Sequence, residues 1–87
     1  MTQKELNTLN RQVQYKAIGV RLENLALTYK TLQREGVQHD TLLRIQNRMN
    51  EIIDGMTWDQ VQMCLSIAGV TKKNGLIIKS LLIEKDE

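Results

Sequence analysis

Proline and phenylalanine are absent from this 87-residue chain, and cysteine, histidine and tryptophan occur once each. Without proline, nothing in the composition breaks a long helix from within. With so few rings the core has to be aliphatic, and twelve Leu, eight Ile and five Val supply it. A lone thiol makes no intramolecular disulfide, and Cys64, set among Val61, Leu65 and Ala68, reads as a small buried hydrophobe in a reducing compartment. No apolar run approaches the ~18–20 residues that span a bilayer. The opening MTQKELNTLNRQ lacks the apolar centre of a signal peptide, so a cytoplasmic protein without membrane contact is expected. His39 has no Cys, His or carboxylate cluster at ligand spacing around it, which gives no reason to expect a metal or cofactor. Ser66 and Ser80 have no identifiable base, and no glycine-rich phosphate loop is present, so an enzyme is not expected.

Neither sign of charge dominates. Twelve basic and ten acidic residues leave a net charge of +2, too balanced to imply nucleic acid by composition alone. Residues 1–50 nevertheless carry eight bases against four acids, residues 51–71 three acids and no base, and the last sixteen four bases and three acids. A chain of this length is expected to form one domain, residues 1–87, burying about 60–65% of its unfolded surface.

The pattern that is present is helical. Gly36, Gly55 and Gly69 fall where apolar periodicity ends, as glycines do when they take the left-handed conformation after a helix. Four helices are predicted, over Lys4–Arg34, Thr41–Asp54, Trp58–Ala68 and Lys72–Ile83. The fold class is all-α, a small bundle with a long first helix. Extended structure competes with helix over residues 75–83, because GLIIKSLLI suits both periods almost equally.

The long helix has two nearly opposite apolar stripes: Leu6, Leu9, Val13, Val20 and Leu27 on one side, Ile18, Leu22, Leu25, Tyr29 and Leu32 on the other. A helix apolar on two faces needs cover on two faces. Either it breaks near Gly19, or it stays continuous and gives one stripe to another subunit. The 4,3,4,3 spacing of Ile18, Leu22, Leu25, Tyr29 and Leu32 is a short coiled-coil-like seam and the expected homodimer or partner interface.

Asp40 is the predicted cap of the second helix, whose polar face carries Arg44 and Arg48 one turn apart. Local signal is strongest at MTWDQV, where Thr57 and Gln60 form a capping box and Met56 and Val61 a hydrophobic staple. Gly69 closes that third helix, and Thr71 is placed to open the fourth, with Asn74 as the competing cap.

The segment IAGVTKKNG is similar to the turn and early recognition helix of helix-turn-helix DNA-binding domains, where a small residue, Gly, an aliphatic and Ser or Thr recur in order. Leu65 stands where that motif prefers Ala, and Gly75 where it has a buried aliphatic. The resemblance implies that residues 57–83 bind double-stranded DNA, with Thr71, Lys72, Lys73 and Asn74 at the major groove. Outside the resemblance, the pair Arg44 and Arg48 on the polar face of the second helix are taken as further DNA contacts. On this reading the protein is a DNA-binding regulatory or accessory protein. The competing reading is an adaptor or inhibitor, of the sort mobile genetic elements encode, that grips a protein partner.

Overall fold

In the computed structural model, which describes residues 2–83, helix α1 spans Gln3–Arg34, α2 His39–Ile52, α3 Trp58–Ile67 and α4 Lys72–Leu81. Among the described residues the fold is an all-α bundle of four helices. Where strand and helix competed, the chain is helical up to Leu81.

The first helix is the spine. Its 32 residues, at ~1.5 Å each, reach about 48 Å. That length accounts for a long axis of 51 Å in a molecule otherwise 24 by 20 Å across. Each of the other helices packs against α1 and makes few backbone approaches to the rest. Leu22 and Ala26 from α1, Met49 and Ile53 from the second segment, Val61 and Leu65 from α3, and Ile78 and Leu81 from α4 form one shared core. Residues 2–14 are all exposed, so the first three turns of α1 reach past this body.

Helix α1 runs unbroken through Gly19, and packing explains why a glycine stands there. A Cβ at this position would lie 2.6 Å from Ala68 Cβ and 2.9 Å from Cys64 C, and closer still to the Cys64 carbonyl oxygen. The backbones of α1 and α3 approach at this point because the side chain is missing.

Continuity settles which stripe the chain keeps for itself. Leu22 is fully buried, Ile18, Leu25 and Tyr29 pack on the core, and Leu32 is half-buried. The seam put forward as a subunit interface is therefore absorbed by the chain's own core. About 180° around the helix, the stripe Leu6, Leu9, Val13, Val20 and Leu27 is left exposed.

The start of α2 differs from the sequence prediction. Gln38, not Asp40, is the N-cap, and its side chain makes no capping bond. The preceding helix closes through Gly36 (φ +79°), with Val37 N–H donating to Leu32 O at 3.1 Å, and this leaves only Val37 and Gln38 to reverse the chain. Gln38 O then accepts from Thr41 N–H at 3.1 Å, and the helix begins two residues early. Asp40 sits in the first turn, where its charge still opposes the positive helix end.

At α3 the capping box is present in full. Gln60 N–H donates to Thr57 Oγ1 at 3.2 Å, and Thr57 N–H donates to Gln60 Oε1 at 2.9 Å. The carboxyl end of α4 is held by two amides of α2. Gln46 Nε2 donates to Leu81 O at 3.0 Å, while Asn50 donates to the same carbonyl at 3.3 Å and accepts from Ile83 N–H at 2.7 Å.

Candidate nucleic-acid interface

The corner between α3 and α4 is built from backbone bonds that its sequence selects. Gly69 takes φ +73°, which lets its N–H reach Ser66 O at 3.1 Å and Val70 N–H reach Leu65 O at 3.0 Å. These two bonds satisfy carbonyls that the end of α3 would otherwise leave open. Thr71 is extended and accepts from Asn74 N–H through Oγ1 at 3.2 Å, so it is the cap and Asn74 lies inside the helix. Two fixed ends separated by so short a link give α4 a defined direction relative to α3.

Side chains sort sharply around α4. Ile78 and Leu81 face the core, whereas Lys72, Leu76 and Lys79, at i, i+4 and i+7, share the opposite face and are exposed. Lys73 is exposed beside them. No acidic residue lies within Lys72–Leu81. The result is an exposed basic face on one helix, opening at the positive end of that helix.

The four residues predicted around the turn are not alike in this setting. Lys72 and Lys73 are exposed and, among the described residues, pair with no carboxylate. Thr71 is exposed, but its hydroxyl oxygen already serves the cap. Asn74 is half-buried and donates Nδ2–H to Glu23 Oε2 of α1 at 3.2 Å, a bond across 51 positions that ties α4 to the spine. Its amide is occupied by structure.

Arg44 and Arg48 are exposed on α2 but do not join the α4 surface. They lie about half a turn around that helix from Gln46 and Asn50, the side chains that hold the end of α4. Arg48 also pairs with Glu51 at 3.4 Å, with both side chains more than half exposed, an ion pair worth little in water. Lys79, by contrast, is not evident from the sequence. Its spacing of seven from Lys72 is the available signal, hidden while residues 75–83 can still be read as strand.

Beside the basic face a groove of about 230 Å³ runs between α3 and α4. Leu65, Val70 and Leu76 give it an apolar lining, and Lys72 and Lys79 stand on its α4 side. Gly75 contributes openness, since nothing lies within 4 Å of where its Cβ would be.

Cys64 is fully buried, and desolvation raises its thiol pKa above the usual 9.0. The thiol stays protonated at neutral pH and is poorly suited to nucleophilic work. Among the described residues, no three His, Cys, Asp or Glu side chains come together in a way that would hold a metal ion. No helix among them is long and apolar enough to cross a membrane. Comparison of the chain with known protein families, curated proteins and solved structures finds no match.

Proposed function

We propose that the chain is a small cytoplasmic DNA-binding protein of regulatory or accessory type, with α3 and α4 presenting Lys72, Lys73 and Lys79 to the phosphates of a duplex. The observation that carries this reading is the set of exposed lysines on α4, Lys72 and Lys79 on its outward face and Lys73 at its flank, on a helix without an acid, directed by a capped turn and opening at a helix amino terminus. Affinity on this surface comes mainly from phosphate contact. Asn74 contributes by holding α4 on α1 rather than by reading adenine.

The test is a fluorescence-polarisation titration of the protein against a labelled random-sequence duplex at several salt concentrations. Replacing Lys72, Lys73 and Lys79 by Ala should lower affinity for every sequence and reduce the log-affinity against log-salt slope by up to ~0.9 for each phosphate no longer neutralised. Absence of salt-sensitive binding at micromolar protein removes the DNA reading.

The groove favours a second reading, in which an acidic amphipathic segment of a partner protein lays its apolar side on Leu65, Val70 and Leu76 and its carboxylates on Lys72 and Lys79. Leu76→Ala separates the two. It should leave a phosphate-driven salt slope intact and weaken an apolar docking site.

A further inference from the structure

The outward stripe of α1 has no cover among the described residues, and its spacing is regular. Leu6, Val13, Val20 and Leu27 recur every seven residues, and Asn10, Ala17, Asn24 and Thr31 fall between them at steps of four and three. All eight are exposed. They form a single seam on the side of α1 opposite Leu22 and the core.

We propose that this seam pairs with the same seam of a second copy of this chain, in antiparallel orientation, about a two-fold axis at the midpoint of α1. Three features select that occupant and that orientation.

The first is the register. Turning α1 about its midpoint sets Leu6 against the partner's Thr31, Val13 against the partner's Asn24, Val20 against the partner's Ala17, and Leu27 against the partner's Asn10. Every layer then matches one aliphatic side chain with a smaller or polar one, and the match holds over the whole helix. Ala17, next to the axis, lets the two backbones come close.

Charge is the second. Beside the seam, Lys16 falls near the partner's Glu23, a half-buried side chain whose Oε2 also accepts from Asn74 of its own chain, and the pair occurs twice by symmetry. A parallel pairing would instead bring Lys16 toward the partner's Arg21, again twice, with like charges facing.

Cover is the third feature. Residues 3–14 are the part of α1 that is exposed on every side, and a helix of that length alone is marginal in water. In the antiparallel pair each such arm lies along residues 23–34 of the partner's α1, which the partner's own body already holds. Parallel pairing would leave both arms projecting together with only each other for support.

The pairing requires no DNA, so its test is independent of the duplex titration. Sedimentation velocity of the full chain should show a shift from one chain mass toward two as concentration rises through the micromolar range. Val20→Glu should raise the dissociation constant by more than about ten-fold, because it carries unpaired carboxylates into the seam. It should leave the helical circular dichroism unchanged, since Val20 does not touch the core.

Lys16→Glu reports orientation. It should weaken the dimer, whereas a parallel dimer would be strengthened by the same change. Leu6→Cys combined with Thr31→Cys should give a disulfide-linked dimer on mild oxidation, while Leu6→Cys alone should not. A wild type that remains monomeric at high micromolar concentration overturns the proposal. A dimer that survives Val20→Glu unchanged, or one that Lys16→Glu tightens, overturns the assigned face or orientation.

Discussion

The α3–α4 corner and the first three turns of α1 are both helical, yet different forces hold them. At the corner, the Thr71 cap, the left-handed Gly69 and the bond from Asn74 to Glu23 all specify one geometry, and Leu65, Ile78 and Leu81 bury themselves beneath it. The amino-terminal turns have a cap as well, with Glu5 N–H donating to Thr2 Oγ1 at 3.2 Å, but every side chain from Thr2 to Gln14 is exposed. Capping fixes where a helix begins. Burial decides whether it stays formed, and the lesson is that α1 draws its stability from its second half.

The largest effect should come from removing that burial. Leu22→Ala is expected to cost about 2–5 kcal/mol, read as a shift of the urea midpoint at constant slope. Val13→Ala, nine positions away on the exposed side, should stay within roughly 0.5 kcal/mol of wild type in dilute solution.

Next come the two glycines inside helices. Gly19→Ala should destabilise the fold by about 1–3 kcal/mol, because overpacking against the Cys64 carbonyl outweighs the better helix propensity of Ala. Gly75→Ala meets open space and should instead stabilise by up to ~1 kcal/mol. Opposite signs for the same substitution would confirm that Gly19 is there for contact and Gly75 is not.

The caps should matter less. Thr57→Ala is expected to cost ~0.5–2 kcal/mol. Gln38→Asp should add a capping bond that α2 lacks, raising the thermal midpoint modestly. Smallest of all is the energy holding residues 6–14, whose amides should exchange with solvent almost unprotected at low concentration while those of Val61–Leu65 approach the global limit. Protection of the arm that rises with concentration would show it gaining cover from another molecule.

Much of this fold is legible in the sequence because its punctuation is local. Gly36, Gly55 and Gly69 all have positive φ, and Thr57 and Thr71 cap the helices they precede. What stays hidden depends on contacts between distant segments. Periodicity reveals two stripes on α1 but carries no sign that says which one faces inward. Gly19 looks like a hinge because a missing side chain signals flexibility as readily as close approach. Asp40 is the better cap by residue type, yet the short link after Gly36 fixes the start of α2 at Gln38. Within the candidate site, Lys72 and Lys73 are found from their place after the turn. The engagement of Asn74 is not, since nothing near it in sequence points to Glu23.

The clamp of Gln46 and Asn50 on the end of α4 bears on the order in which the chain folds. Leu81 O and Ile83 N–H find their partners 31–35 residues back, on a helix that must already stand beside α1 to offer them. Closing so long a loop costs entropy before any bond is gained. Docking of α4 is therefore expected to be the last step, following formation of the α1–α2 hairpin. Asn50→Ala should then speed unfolding and leave the folding rate almost unchanged, whereas Leu22→Ala should slow folding, a difference that stopped-flow chevrons would resolve.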